Sequence, residues 1–204
     1  MTRIMVVGRW EGDAAGRLRE AAMRLYGERG YEQTTVADIA AEAGLTARTF
    51  FRHYADKREV LFAGSEMLLA HMVEALDAAP ASEGPMRAVA AALDAAAVVL
   101  SRDPAFSRRR QALIEANAEL RERELIKMAT IATALSEGLR RRGVPAEDAS
   151  LGAEAGIAVF KVAWEQWITS PEGLDLGGVM TATLERLTMM TDSAGSGRRS
   201  GPRT

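Results

Sequence analysis

The chain has no cysteine, which excludes disulfides and thiolate metal sites, and nothing in it points to an oxidising compartment. Long apolar runs are missing too. The longest stretches fall far short of the roughly 18 residues that a membrane-spanning helix needs. The opening MTRIMVVGRWEGD offers only IMVV, too short for the roughly 7–15-residue apolar core of a secretory leader. A cytoplasmic protein without a membrane partner is therefore expected. Strand patterning is absent, since no segment alternates apolar and polar residues with β-branched enrichment. Only two histidines occur. No Gly-x-Ser-x-Gly elbow, phosphate-cradling glycine loop or His/Glu/His metal spacing accompanies them. With no nucleophile, metal set or cofactor cradle, the sequence does not read as an enzyme.

What remains reads as helix. With 204 residues, 48% hydrophobic and 26% charged, the chain suits one or two globular domains with a sizeable core. The spacing predicts about nine helices, an all-α fold. The first covers residues 13–29, with Leu18, Ala22, Leu25 and Tyr26 on one face. Thr35 caps a second, and Asp38 three residues on completes a capping box with aspartate in the usual glutamate position. Gly44 supplies a turn, Leu45 an anchor, and Thr46 caps a third helix running to about residue 53. Further helices are expected over residues 56–78, 86–100, 101–117, 119–142, 146–168 and 176–190. Residues 1–12 read as a flexible arm, 13–58 as one domain, 59–191 as a second, and the Gly/Ser/Arg-rich 192–204 as a disordered tail.

Net charge is −2, yet residues 17–58 hold eight Arg/Lys against six acids. A head of +2 on a body of −4 has the sign that suits a polyanion partner. Within that head, GLTARTFFRHYADK (residues 44–57) puts cations and aromatics together. Helix, tight turn, helix is the helix-turn-helix arrangement, whose second helix must bury one face and offer the other to the DNA major groove. At about 100° per residue, Arg48, Arg52 and Phe51 share the front, Ala47 and Thr49 flank it, and Phe50 points to the rear. Phe50 is thus core and Phe51 exposed. Arg48 and Arg52 can reach guanine edges or phosphates, and Ala47 and Phe51 can touch a thymine methyl. Thr49, His53 and Lys57 are placed for phosphate oxygens, as is Thr35 at its helix N-terminus; Thr46 joins them at the start of the recognition helix. Alone, these cations would read as a solvated helix face, and His53 as a cap or core residue. Inside a spaced helix-turn-helix beside Phe51, DNA contact is favoured.

Arg17 to Gly64, RLREAAMRLYGERGYEQTTVADIAAEAGLTARTFFRHYADKREVLFAG, resembles the TetR (tetracycline-repressor-like) family of bacterial transcription regulators. It carries an aromatic-Gly-Glu-Arg-Gly-Tyr helix end, Thr-Thr-Val-x-Asp-Ile-Ala, Ala-Gly-Leu-Thr and Asp-Lys-Arg in the family's order. Phe50 stands where the family usually has leucine, and Phe51 where it often has a tyrosine whose hydroxyl meets phosphate. The resemblance implies an N-terminal DNA-binding domain and a C-terminal helical domain that binds a small molecule and forms a homodimer. It also implies that ligand releases a double-stranded operator. RTFFRHYADKREVLF is most similar to a branch associated with acyl-CoA-like or other hydrophobic ligands. The alternative is a helical small-molecule-binding or dimerisation protein without operator-specific binding.

For the ligand, Met67, His71, Met72, Met128 and Trp164 are candidates, because thioethers fill irregular space; a plain core suits them equally. The arginines at 108, 109, 110, 121 and 123 could meet an anion, but read better as solvated surface. The eighth helix shows two apolar faces: Ala153, Ile157, Phe160, Trp164 and Ile168 on one, Gly152, Gly156, Val159, Ala163 and Trp167 on the other. With Leu176, Met180, Leu184, Leu187 and Met190 on the last helix, a four-helix seam between two copies is the economical reading. Its expected residues are Gly156, Val159, Phe160, Ala163, Trp167, Met180, Leu184 and Leu187. A well-buried internal helix is the alternative.

Overall fold

The computed structural model describes the backbone of residues 8–170 and 173–196 and the side chains of residues 14–170 and 173–192. The described residues form nine α-helices and no strand. They are α1 (Gly8–Arg29), α2 (Val36–Glu42), α3 (Ala47–His53), α4 (Ser65–Ala78), α5 (Pro85–Leu100), α6 (Pro104–Ala116), α7 (Ala118–Arg141), α8 (Ala146–Thr169) and α9 (Leu176–Ser196). The nine expected helices are all present, with four ends shifted by three residues or more, among them the start of α6 at Pro104 rather than residue 101. α1 starts at Gly8, so residues 8–12 of the expected arm are helical, while residues 1–7 lie outside the described residues. α9 runs to Ser196, into the expected tail, whose last eight residues are likewise not described. α4 starts at Ser65 rather than near Asp56. Before it, i→i+3 hydrogen bonds from Leu61, Phe62, Ala63 and Ser65 form successive turns, and Gly64 takes φ 86°. Val60, Leu61 and Phe62 are all buried. Three consecutive side chains cannot share one α-helical face, whereas tight turns bury them all.

The chain divides into two compact units, one holding residues up to Ser65 with Arg109–Glu124, the other Glu66–Arg108 with Leu125 onward. In the first, α1, α2 and α3 pack on a core that includes Leu18, Leu25, Ile39, Phe50, Val60 and Leu120. Polar clasps close it. The Tyr26 hydroxyl donates to the Lys57 carbonyl at 2.7 Å, and Tyr31 reaches Glu119 at 3.3 Å. Burial raises both phenols well above the ordinary range, with Glu119 adding to Tyr31. Arg110 donates to the Leu61 carbonyl at 2.8 Å, lies 4.9 Å from the centre of the Phe62 ring and pairs with Glu124 at 3.4 Å. Burial lowers its pKa while Glu124 pulls the other way. Arg123 pairs with Glu59. These arginines clasp the irregular 58–62 segment, Arg110 at the Leu61 carbonyl, which no helix ladder serves, and Arg123 at the Glu59 carboxylate. Arg110 and Arg123 are thus structural clasps rather than solvated surface, while Arg109 and Arg121 are exposed as expected.

The second unit packs α5, α8 and α9 together with α4 and most of α7 around Met72, Leu76, Leu93, Leu135, Leu139 and the α8 aromatics. Glycines set the closest approaches. A methyl at Gly156 would stand 2.6 Å from Val89 Cγ1, and one at Gly152 would stand 3.3 Å from Leu139 Cδ1. Val89 is β-branched and stiff at χ1, so it cannot swing aside. Gly156→Ala should therefore destabilise the protein, because overpacking costs about 1–3 kcal/mol against the ~1 kcal/mol gained in helix propensity. Gly16→Ala in α1, where nothing lies within 4 Å, should stabilise it by about 0.5–1 kcal/mol. Denaturant unfolding of both variants checks the pair, and equal signs would contradict the packing argument.

Candidate nucleic-acid interface

α2 and α3 are seven residues each, too short to persist without caps and packing. Thr35 accepts from the Asp38 amide at 3.2 Å, and the Asp38 carboxylate takes the Thr35 amide at 2.9 Å, the expected capping box. The turn follows at once. Gly44 sits at φ 64°, and the Leu45 amide donates back to the Ala40 carbonyl at 2.8 Å. Arg17 donates to the Ala43 carbonyl and Arg24 pairs with Glu42, so α1 places cations at the C-terminal end of α2, the favourable end of the helix dipole. Thr46 then caps α3 by accepting from the Thr49 amide at 3.1 Å. At the other end of α3, the Tyr54 hydroxyl donates to the Ala15 carbonyl at 3.1 Å; burial raises that phenol's pKa.

So held, α3 has two sides. Phe50 is wholly buried and Phe51 is 59% exposed. Ala47, Arg48 and Arg52 are exposed as well, whereas Thr49 and His53 are half-buried. At about 100° per residue the exposed four fall in the order Ala47, Phe51, Arg48, Arg52 across an arc of about 140°. No described hydrogen bond or ion pair engages Arg48. One short helix therefore presents an apolar strip beside a cationic strip, opposite a side pinned in the core.

The expected phosphate contacts stand differently. Lys57 donates to the carbonyls of Tyr31 at 2.9 Å and Thr34 at 3.2 Å and sits 4.2 Å over the Tyr31 ring, so two of its three protons are committed inside the unit. Thr35 is exposed, but its amide and hydroxyl both bond the Asp38 carboxylate. Those hydrogen bonds from Thr35 hold that carboxyl below its usual pKa. A phosphate at this helix end would have to displace a carboxylate. Thr46 and Thr49 share their hydroxyls at 3.0 Å. His53 Nε2 is buried without a hydrogen-bond partner, so contact with a phosphate would have to use Nδ1. The sequence pattern could not show what else these side chains bind.

In the second unit the five ligand candidates divide into two on the surface and three in or against one core. Met67 and His71 are exposed on α4, with His71 Nδ1 2.7 Å from the Met67 carbonyl. Met72 is buried in the core, Met128 is half-buried against it, and Trp164 lies within it. There Phe160 and Trp164 stack with ring centres 6.0 Å apart, and Trp164 meets Trp167 at 5.4 Å. Arg108 lies 5.7 Å from the Trp167 ring. On α5, burial raises the pKa of Asp94, with Asp175 adding to it against the pull of Arg87.

Within one chain, six of the eight residues expected in the dimer seam are already covered. Gly156, Val159, Phe160, Ala163, Trp167 and Met180 are buried within this one chain, and Leu184 and Leu187 are half-buried against the same core. Both apolar faces of α8 are used internally, so the alternative of an internal helix describes them. The surface that α8 leaves is a third stripe, Leu151, Ala158 and Val162, with Leu151 70% and Val162 52% exposed. Its apolar residues at 151, 158 and 162 keep helical spacing, a signal that charged neighbours Glu154, Lys161 and Glu165 masked in the sequence.

Comparison with known proteins agrees with this architecture. Residues 18–63 match the model for bacterial regulatory proteins of the tetR family, and residues 83–191 match that for the MftR C-terminal domain. The transcriptional regulator TcmR of Streptomyces glaucescens is 40% identical over 78 residues, which are 38% of this chain and 34% of TcmR. The match thus spans about a third of that relative's length. Among solved structures, Thermus thermophilus FadR, a TetR family transcriptional repressor in complex with lauroyl-CoA, is 25% identical with a TM-score of 0.55, covering 85% of this chain and 93% of FadR. SmeT, repressor of the Stenotrophomonas maltophilia multidrug efflux pump SmeDEF, is 20% identical with a TM-score of 0.57, covering 87% of this chain and 91% of SmeT; it speaks to the fold. No helix among the described residues is long and apolar enough to cross a membrane. A helix-turn-helix whose outward side is cationic and aromatic, followed by a helical body matched over more than half of the chain, places this protein in the TetR family of bacterial transcriptional regulators.

Proposed function

We propose that the protein is a homodimeric repressor that holds a palindromic DNA operator and releases it when a small hydrophobic or amphipathic molecule binds in the second unit. One observation carries the DNA half of this reading. Phe51 is exposed between Ala47 and Arg48 on a helix whose rear is pinned by buried Phe50, a costly display of apolar surface unless a partner covers it. Arg48 and Arg52 supply guanine or phosphate contacts, Thr46 and Thr49 the helix start, and Lys57, His53 and Thr35 lie at the flanks. Two such helices enter successive major grooves when about 34 Å apart, so a second copy is needed. The Leu151, Ala158 and Val162 stripe of α8 is the surface we assign to it. FadR, similar over nearly its whole length, is a repressor in complex with lauroyl-CoA, which favours an amphipathic effector here. A domain that bound small molecules without reading DNA would have no use for an exposed phenyl group beside the Arg48 guanidinium on α3.

Three results are expected. In fluorescence anisotropy at fixed salt, Arg48→Ala should weaken operator binding about 5–150-fold, equivalent to about 1–3 kcal/mol; unchanged affinity would remove Arg48 from the interface. An effector must favour the state that binds operator less well. Its titration should lower operator affinity by the factor with which operator lowers its own, and no effect from any compound bound in the second unit would defeat the release model. Val162→Glu should convert the dimer to monomer in analytical ultracentrifugation, and a variant that sediments as a dimer would move the seam elsewhere.

A further inference from the structure

We propose that α3 reads a thymine 5-methyl group beside a guanine, with Phe51 and Ala47 as the methyl readers; this rests on the operator-binding reading and specifies what the operator must contain. The helix is ARTFFRH. It has no Asn or Gln, the side chains that grip adenine N6 and N7 in the major groove, and no Asp or Glu to accept from cytosine N4. What it offers is guanidinium, which suits guanine O6 and N7, and apolar surface, which suits the thymine methyl. The hydroxyls of Thr46 and Thr49 hydrogen-bond each other at 3.0 Å at the start of the helix, which leaves one of their two protons for a phosphate there.

The order around the helix sharpens the point. Ala47 and Phe51 lie about 40° apart, and Arg48 and Arg52 lie a further 60° and 100° round. The apolar pair and the cationic pair are therefore contiguous strips, and their complement is a base step that sets a methyl next to guanine acceptors. Phe51 is supported from within by the Phe50 ring, edge-on at 5.6 Å and 81°, which keeps it presented outward. A phenyl ring has no hydrogen-bond donor for a phosphate. A methyl group, by contrast, removes its surface from water.

The test uses the full-length protein and an operator obtained by selection from random DNA. Each thymine in a half-site is replaced by deoxyuridine, which deletes only the methyl, and each guanine by 7-deazaguanine, which deletes N7. One thymine adjoining a sensitive guanine should lose about fourfold in affinity as deoxyuridine, the effect of one buried methyl. Phe51→Ala should lose most of that preference, with Ala47 keeping the remainder, and Phe51→Leu should restore part of it. Insensitivity to deoxyuridine at every position, or full discrimination retained by Phe51→Ala, overturns the proposal while leaving operator binding intact. Selection that enriches no sequence overturns the operator reading itself, and this inference with it.

Discussion

The burial of a single side chain, Phe50, beneath a seven-residue helix determines what surface the first unit can offer. In isolation α3 would not hold, because helices shorter than about 12–15 residues are marginal in water. Its cap at Thr46 contributes about 1 kcal/mol, the Tyr54–Ala15 hydrogen bond a similar amount, and burial of Phe50 about 1.5–3 kcal/mol. Packing is the largest of these. Once Phe50 is inside, helix geometry leaves no freedom, and residues 47, 48, 51 and 52 must face outward. The exposure of Phe51 is thus the consequence of burying its neighbour, and the protein tolerates it on a helix that cannot rotate.

Cations in this unit divide into two populations that a charge count cannot separate. Arg48 stands in solvent on α3. Lys57 and Arg110 instead turn inward, to the carbonyls of Tyr31, Thr34 and Leu61. These carbonyls lie in the turns between α1 and α2 and between α3 and α4, outside any helix ladder, and buried carbonyls without partners are costly. Long basic side chains supply the missing protons while resting on the rings of Tyr31 and Phe62. Asp56 does comparable work from the other sign, receiving the amides of Arg58 and Glu59 and the Arg58 guanidinium. Burial pushes its pKa up, yet those hydrogen bonds outweigh it and hold the carboxyl below the usual range. The carboxylate remains charged, and the turn keeps its shape, until the medium is more acidic than an ordinary aspartate requires.

What was legible in the sequence was what local chemistry decides. Thr35 with Asp38, Gly44 and Thr46 are cap and turn signals whose partners lie within a few residues, and each behaves in the structure as its chemistry demands. The Phe50/Phe51 division followed from helical angle alone. Errors came where the deciding partner is distant in sequence. The start of α4 depended on whether Val60, Leu61 and Phe62 could all be buried. The free protons of Lys57 depended on carbonyls 23 and 26 residues away. The two apolar faces of α8 depended on how many helices surround it, and α5 and α9 both pack on it. Periodicity reveals that a face is apolar; it does not reveal whether the same chain or another covers it.

α8 then carries a mechanical consequence for the body. Two of its faces are interlocked with the core, at Gly156 against Val89 and through the Phe160–Trp164–Trp167 rings, while its third face carries Leu151 and Val162 in solvent. Close-packed interiors transmit displacement rather than absorb it, so a molecule that displaces an inner contact of α8 must carry the outer stripe with it. Effector occupancy and the geometry of pairing with a second copy would then be two readings of one helix. The energetic demand is bounded: taking a population from about 1:99 to 99:1 requires about 5.5 kcal/mol of differential binding. An overpacked methyl at one such contact costs about 1–3 kcal/mol. A ligand altering two or three of them commands energies of the required size, and it need not reach the DNA-binding unit to do so.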